Sequence, residues 1–184
     1  MTGAVALPAN ADFFLTPFAA IKFAGTARIV DLEQGASNTK FALGVAFGEL
    51  GDGVLGVEGD VTYVPRFFER ATGSLIARSH VLTAMGNILV ALPLSQTGYS
   101  LRPFLSGGGG LLLVSIDDVL GIFPIYRNFL GVNVGGGAVG PLTNVVDVRF
   151  DLRFFKSLTR ENEERLRAGS ALSFWRAAIG LTIR

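Results

Sequence analysis

The stretch Val146–Phe155, which reads VDVRFDLRFF, decides the fold of this chain. Its even-numbered positions are all apolar, whereas positions 147, 149, 151 and 153 alternate between Asp and Arg. Because side chains of a β-strand point to opposite faces with period two, one face is apolar and the other carries four charges. A helix would spread both sets around its circumference, so the pattern predicts a strand. Its length of about ten residues is also that of a tilted strand crossing a bilayer.

The composition favours a hydrophobic protein of one domain. The chain has 184 residues, of which 49% are hydrophobic and 17% charged, below the roughly 25% charged residues of soluble domains. A net charge of +1 argues against nucleic-acid binding, and the absence of cysteine excludes disulfides and thiolate metal sites. The longest uncharged runs, 81–101 and 128–146, are broken by Asn, Gly and Pro, so no spanning helix is predicted. A large soluble core and a membrane β-barrel remain.

Residues 1–12 are expected to form a flexible N-terminal segment, followed by a single barrel domain over residues 13–184. The small-x-small pattern at Ala9–Ala11 resembles the end of a signal peptide, but no basic start and no adequate apolar stretch precede it.

Seven further segments show strand patterns, so the sequence predicts eight strands: Phe18–Val30, Lys40–Glu49, Leu55–Val64, His80–Leu94, Leu101–Val114, Phe129–Val139, Val146–Phe155 and Leu172–Arg184. The connections alternate between long and short, which places all long loops at one end of an up-and-down meander. An even number of strands permits closure, which removes the unpaired edges that lipid cannot satisfy. The predicted fold class is all-β, an eight-stranded antiparallel up-and-down transmembrane β-barrel.

The apolar faces of these strands are predicted to point outward. The interior of an eight-stranded barrel is just wide enough for side chains, and the apolar set, which includes Phe47 and Trp175, is too bulky for it. Turning Arg149 or Arg153 toward lipid would cost about 2–4 kcal/mol each. Two aromatic girdles are expected at the membrane interfaces: Phe41, Tyr63, Phe67, Phe129, Phe154 and Trp175 near the long loops, and Phe14, Phe18, Phe47 and Tyr99 near the short turns.

The charged faces are therefore expected to meet in the lumen. The predicted lumen charge network consists of Lys22, Glu58, Asp60, Arg102, Asp147, Arg149, Asp151, Arg153 and Arg176, with Arg28 and Lys40 also pointing inward. Pairing of the last two strands brings Asp151 roughly opposite Arg176. Carboxylate–guanidinium pairs suit a confined lumen, because an unpaired charge would be costly there. The favoured interpretation is a salt-bridge plug, and the alternative is an ion path or a gate that opens when the pairs exchange.

The glycine run Gly107–Gly110 is not a phosphate loop, because no Gly-Lys-Ser/Thr follows it. Strand pairing is expected to bring it near Gly135–Gly137, where it relieves curvature or makes room for inward side chains. A flat, lipid-facing contact for a partner or an acyl chain is the alternative.

Catalysis and metal binding have little support in the sequence. The single histidine, His80, has no marked carboxylate to orient it as a base, and no clustered metal ligands occur. No catalytic residue, metal site or cofactor is predicted. The charged run at residues 160–167 indicates a solvated loop.

The alternation of loop lengths, the VDVRFDLRFF strand and the final strand FWRAAIGLTIR at residues 174–184 resemble small bacterial outer-membrane β-barrels of the OmpA/OmpX type. This resemblance implies an outer-membrane location with periplasmic termini and extracellular long loops. Its implied partners are the lipid bilayer, including lipopolysaccharide, and an unidentified protein bound by the loops, with no nucleic acid and a monomeric state. The expected role is structural or interactive rather than enzymatic. A narrow porin-like ion channel, a lipid-modifying enzyme and a soluble lipocalin-like carrier remain alternatives.

Overall fold

The fold is a closed ring of eight antiparallel strands joined in sequence order. The computed structural model describes residues 13–27, 39–67, 76–97, 100–118, 125–158 and 172–184. The strands are β1 Phe13–Ala27, β2 Lys40–Glu49, β3 Leu55–Pro65, β4 Ile76–Ala91, β5 Arg102–Asp118, β6 Ile125–Pro141, β7 Val146–Leu158 and β8 Leu172–Ile183. A single turn of helix, α1 (Leu94–Thr97), lies in the connection after β4. The predicted fold class is confirmed.

Several strands are longer than the sequence predicted. β1 begins at Phe13 rather than Phe18, β4 begins at Ile76, and β5 and β6 run into the loop predicted between them. The ladder between β5 and β6 continues as far as Ile116 and Ile125, so pairing with a neighbour extends the strands past their strictly alternating part. The remainder of the four long loops and residues 1–12, 98 and 99 lie outside the described residues. In the described part of the chain, no helix is long and apolar enough to cross a membrane.

The two faces of the wall differ as the alternation predicts. Phe150 and Ile179 are about half exposed on the outside, at 49% and 52%. Arg149 and Arg153 are buried inside the barrel. A belt of exposed Leu, Ile, Val and Phe covers the outer surface. Such a belt is unfavourable in water and matches the hydrocarbon-facing band of a transmembrane barrel.

The prediction of two aromatic girdles is wrong for four of its ten members. Phe14, Phe18 and Phe67 are buried within the barrel, and Phe129 packs against the interior cluster. Phe14 and Phe18 precede Lys22 by eight and four residues, so alternation places both on its inward face once β1 begins at Phe13. Phe67 follows a turn at a residue with positive φ and is completely buried.

The remaining girdle aromatics keep the predicted exposure where they are described. Phe41, Phe47, Tyr63 and Trp175 are exposed, and Phe154 is half-buried with its ring 5.2 Å from that of Trp175. Tyr99 lies outside the described residues.

A β-bulge in β1 corrects a second expectation. The alternation placed Thr26 on the lumen face with Lys22, yet Thr26 is exposed and its hydroxyl lies 2.9 Å from that of Ser173. The pairing of β1 with β8 shifts between Phe23 and Thr26, and Ala24 has a φ of 47°. An extra residue in one strand reverses the face of every residue after it. Arg28, predicted to point inward, lies outside the described residues.

Candidate functional site in the barrel lumen

Six charged side chains meet in the middle of the lumen and form what we name the central cluster: Glu58 and Asp60 from β3, Arg149, Asp151 and Arg153 from β7, and Arg176 from β8. In a ring of eight strands β3 and β7 are four places apart and therefore face each other. Alternation within each strand directs these side chains inward, because the opposite face of each strand is apolar. The cluster spans the barrel from wall to wall and contains three cations and three anions.

Arg176 makes a two-pronged contact with Asp60 across the lumen. Its two terminal nitrogens lie 2.8 Å from the two carboxylate oxygens of Asp60. The guanidinium also donates to the hydroxyl of Thr62, which itself donates to Asp60 at 3.0 Å. A planar guanidinium fits a carboxylate in this bidentate way, which adds directional specificity to the charge attraction.

Glu58 is shared by two arginines of the opposite wall. Its oxygens lie 2.7 Å from Nη1 of Arg153 and 2.6 Å from Nη2 of Arg149. Asp151 lies between these arginines on β7, with contacts of 3.5 Å to each. The central cluster is therefore continuous, because every carboxylate touches at least two guanidinium groups. In such a network each charge has lost its water and depends on the others.

Two asparagines, one from β4 and one from β6, complete the cluster with neutral groups. Asn133 donates to the side-chain oxygen of Asn87 at 2.7 Å, and Asn87 donates to Glu58 at 3.0 Å. Behind the arginines, β6 has glycine where a larger residue would collide. A methyl group on Gly135 would lie 2.8 Å from Cγ of Arg153. Gly135 therefore provides space for the stem of Arg153 and for the backbone of β7 beside it.

Aromatic rings pack against two arginines of the central cluster. The guanidinium carbon of Arg176 lies 4.8 Å from the ring centre of Phe18 and 5.1 Å from that of Phe155. Phe155 in turn stacks on Phe174 at 5.0 Å. The guanidinium carbon of Arg149 lies 4.6 Å from the ring centre of Phe104. Buried cation–π contacts of this kind contribute up to about 2 kcal/mol each.

Three of the predicted network residues lie apart from the central cluster. Lys22 is fully buried toward the long-loop end, where its ammonium lies 4.3 Å from the ring centre of Phe67. Arg102 is buried near the short connections and donates to the backbone oxygens of Leu92, at 2.7 Å, and Gly53. Asp147 pairs with Arg184 at 2.9 Å. The structure thus brings six of the nine predicted residues together and places the other three nearer the ends.

The sequence predicted that Asp151 lies roughly opposite Arg176, and the register of β7 and β8 places the two residues close but not directly opposite each other. The residue opposite Asp151 on β8 is Ala178, and the residue opposite Arg176 is Arg153. Two cations are thus direct neighbours across this strand pair, an arrangement that is unfavourable in isolation. The carboxylates of β3 reach across the lumen and compensate for it, and Asp151 still lies 3.4 Å from Arg176.

The sequence analysis missed the neutral and aromatic members of the site. Asn133 and Thr62 lie on the inward faces of β6 and β3, so alternation by itself could have identified them. The ring contacts of Phe18 and Phe155 with Arg176 have no such signal, because they join residues of three different strands.

Little free space remains at the short-connection end of the lumen. A cavity of about 20 Å³ lies among Phe14, Leu89, Phe104 and Arg149. This volume is enough for about one water molecule. The described side chains therefore fill the barrel here as densely as a protein core.

Known structures share this fold at low sequence identity. No family model and no curated protein matches the sequence. Neisserial surface protein A superposes with a TM-score of 0.69 at 16% identity, covering 95% of this chain and 98% of that one. The outer membrane protein OprG from Pseudomonas aeruginosa gives a TM-score of 0.54 at 15% identity, covering 94% and 95%. The attachment invasion locus protein Ail of Yersinia pestis gives 0.54 at 8% identity, covering 93% and 98%. This chain is thus an eight-stranded transmembrane β-barrel with the fold of small bacterial outer-membrane proteins.

Proposed function

We propose that this chain is a structural protein of the outer membrane whose barrel is closed to ions and whose long loops are available to a partner. The observation that supports this proposal is the central cluster, which joins β3 to β7 and β8 across the lumen. A permeating ion would have to displace a desolvated, bidentate pair, and replacing those contacts with partial hydration is costly in a narrow lumen.

We further propose that the termini and short connections face the periplasm. The connections at residues 50–54 and 142–145 are short and lie at one end with the start of β1 and the end of β8. Short turns on the periplasmic side are the rule for outer-membrane barrels. A peptide tag inserted at Thr143 should bind antibody only after the outer membrane is permeabilised. Labelling of intact cells would contradict the orientation.

Conductance in planar bilayers tests the closed barrel. The purified protein should give no steady single-channel currents. The double variant Glu58→Gln with Asp60→Asn should give transient openings, because it removes the carboxylates that bind Arg149, Arg153 and Arg176. The matched control is Glu49→Gln, which changes an exposed glutamate at the end of β2 and should remain silent. Steady currents from the unmodified protein would overturn the proposal.

A narrow anion channel is the second candidate function. The observation that favours it is the excess of positive charge in the lumen. The central cluster is neutral, whereas Lys22, Lys40 and Arg102 add positive charge beyond it. An open lumen lined in this way would prefer anions. The reversal potential across a salt gradient distinguishes an anion-selective channel from leakage through a damaged bilayer, which has no preference.

We propose no enzymatic role. His80 is half-buried, and its ring packs against that of Tyr63 with 5.5 Å between the ring centres. A phenol ring does not orient an imidazole in the way that the carboxylate of a catalytic triad does. His80→Ala should therefore leave the lipid A composition of the producing strain unchanged. A changed profile would support the lipid-modifying alternative instead.

A further inference from the structure

The outer wall carries a row of polar side chains near the long-loop end of three neighbouring strands. Lys156 of β7 pairs with Ser173 of β8, and Ser173 pairs with Thr26 of β1. Lys156 and Thr26 are exposed on the outside, and Ser173 between them is half-buried. The hydroxyls of Thr26 and Ser173 lie 2.9 Å apart. An ammonium group and two hydroxyls therefore interrupt the apolar belt at one place.

The bulge in β1 completes this row. Without the shift of register near Ala24, Thr26 would face the lumen with Lys22. On the outer wall, its hydroxyl meets that of Ser173 instead. Two hydroxyl groups joined by one hydrogen bond keep one O–H donor for a further acceptor. The bulge thus creates a donor pair beside Lys156, where unbroken alternation would leave a single hydroxyl.

Aromatic side chains lie next to the row, on the side of the membrane centre. Phe154 and Trp175 are paired across β7 and β8 with their ring centres 5.2 Å apart, and Phe23 of β1 pairs with Trp175. Outward aromatic rings near the end of a barrel mark the level of the membrane interface. The polar row therefore lies at the depth of lipid headgroups rather than among acyl chains.

No carboxylate on the described strands around Lys156 balances its charge from the outside. β1, β6 and β8 contain no acidic residue, and the two aspartates of β7, Asp147 and Asp151, are buried in the lumen. A lysine on the lipid side of a barrel is tolerated near the interface, where its charge meets water or a headgroup. The charge on this part of the wall is therefore complementary to an anion.

The row is oblique to the membrane plane, because the strands of a barrel tilt. The pairs that start at Lys40, the first residue of β2, reach Ser106 near the short-connection end of β5. Rows of the wall thus descend from β1 through β8 to β7, so Lys156 leaves the wall nearer to the membrane centre than Thr26. A lysine stem extends along an apolar wall toward the interface. Here that direction leads to the two hydroxyls.

We propose that Lys156, Ser173 and Thr26 bind the phosphate monoester of a lipid headgroup in the leaflet at the long-loop end. The ammonium group makes a charge-assisted contact with the phosphate, and the hydroxyl pair donates to one of its oxygens. The exposed side of Trp175 packs beneath the headgroup. Acyl chains contact the whole outer wall, whereas this selectivity for phosphate belongs to one place.

The choice of leaflet rests on the orientation proposed above. With the long loops outside, the ligand is the lipopolysaccharide of the outer leaflet, whose sugars carry phosphate monoesters. The selectivity itself depends only on the three side chains and is independent of the orientation and of the closed lumen.

The single tryptophan of the chain, Trp175, reports directly on this site. The full chain is reconstituted in phosphatidylcholine bilayers that contain phosphatidic acid, a phosphate monoester, with brominated acyl chains that quench tryptophan fluorescence on contact. Quenching should show phosphatidic acid favoured about fivefold over brominated phosphatidylcholine, as expected for one lysine near a membrane surface. Lys156→Gln should remove most of this preference, and Thr26→Val with Ser173→Ala should reduce it in part.

Two controls use Ser115, which lies on the outward face of β5 on the other side of the ring. Ser115→Ala removes a hydroxyl from the same end of the wall and should match the unmodified protein. Ser115→Lys combined with Lys156→Gln moves the cation across the barrel at constant net charge. In this double variant the preference near Trp175 should stay lost, because the phosphate is no longer held beside it.

Four results would overturn the phosphate site. The first is equal quenching by the two brominated lipids in the unmodified protein, and the second is a preference that survives in Lys156→Gln. The third is a preference restored by Ser115→Lys, which would reduce the effect to net charge. The fourth is relief of quenching by inorganic phosphate, which would identify a soluble anion as the ligand.

The experiment fails independently of the proposed function. Both leaflets of these bilayers contain the lipid, so neither the orientation nor the closure of the lumen changes the result, and the tag at Thr143 tests the orientation separately. Heat-dependent gel mobility shows that each variant is folded, so a failure to fold is not mistaken for a loss of selectivity.

Discussion

The Arg–Asp pair in the middle of the lumen and the one at its short-connection end have the same chemistry but different surroundings. Arg176 contacts Asp60 at 2.8 Å with both side chains 1% exposed. Arg184 contacts Asp147 at 2.9 Å, but its side chain is 30% exposed. Water can replace either partner of the outer pair when the other is removed. It cannot do so in the centre, where the surroundings are Thr62, Phe18 and Phe155. Burial, rather than the distance between the charges, decides what such a pair contributes.

The buried cations nearer the ends of the lumen are stabilised differently from those of the central cluster. In the middle, each of the six charges is compensated by another member of the cluster. Toward the ends, Arg102 is compensated by backbone carbonyl oxygens and Lys22 lies over an aromatic ring. Both end cations are as buried as the central arginines, but at each place backbone dipoles or an aromatic ring stabilise one cation, whereas three cations meet in the centre.

The largest effect is expected from breaking the central pair. Asp60→Asn removes the bidentate partner of Arg176, leaves it only the 3.4 Å contact with Asp151, and removes one of the carboxylates near Arg153. Loss of one partner of a buried pair costs about 3–5 kcal/mol. Urea unfolding in lipid vesicles measures this change. Adding Arg176→Met should restore much of the lost stability, because the stranded charge is then removed as well. A double variant no more stable than Asp60→Asn would contradict this account.

A smaller loss is expected when the charge is kept and only its geometry changes. Arg176→Lys retains the cation but cannot contact both oxygens of Asp60 and the hydroxyl of Thr62 together. Loss of a hydrogen bond to a charged group costs about 1.5–3 kcal/mol. The same unfolding measurement applies. A loss equal to that of Asp60→Asn would mean that simple charge neutrality is not what the centre requires.

Two glycine substitutions distinguish the lumen from the outer wall. Gly135→Ala drives a methyl group against the backbone oxygen of Leu152 and to 2.8 Å from Cγ of Arg153, and should destabilise the barrel by about 1–3 kcal/mol through overcrowding. Gly86→Ala is the matched control, because its nearest neighbour is a backbone oxygen at 3.9 Å. The control should be neutral or more stable by about 0.5–1 kcal/mol, since alanine loses less backbone entropy in a strand. Thermal mobility shifts on gels give both values, and equal effects would contradict the packing argument.

The smallest effect is expected at the outer pair. Asp147→Asn should change the free energy of unfolding by no more than about 1 kcal/mol, and raising the salt concentration should reduce even that difference. A loss as large as that in Asp60→Asn would remove the distinction between the two regions.

Much of the fold follows from the sequence because it depends on local geometry. The alternation in Val146–Phe155 correctly placed Arg149, Asp151 and Arg153 on one face and Phe150 on the other. The bounds of β2 agree fully with the prediction. Alternation failed at Thr26 because the bulge near Ala24 inserts a residue into the strand. No pattern in the sequence marks that insertion.

The contents of the lumen were only partly predictable. The girdle prediction placed Phe14 and Phe18 outside, yet both are buried inside. Phe155 and Phe174, on the inward faces of β7 and β8, are buried there as well. Phe18 fits because Gly44 and Gly180 face it across the strands. A methyl group on Gly44 would collide with the ring of Phe18, and one on Gly180 would lie 2.9 Å from Cβ of Phe18. A ring is accommodated only where a glycine of the neighbouring strand lies beside it. The alternation within one strand does not show which residue of the next strand that is.

The sequence by itself determined that the chain forms amphipathic strands, which side of each strand is charged, and that an even number of them can close. These properties depend on the two-residue period of an extended backbone, which acts within each strand. Only the tertiary structure decided that Asp60 contacts Arg176, 116 positions away, and that Glu58 is shared by Arg149 and Arg153. The partners of a charge in the lumen depend on which strands face each other after closure and on how far the register has shifted around the ring. Both are properties of the closed barrel rather than of any strand.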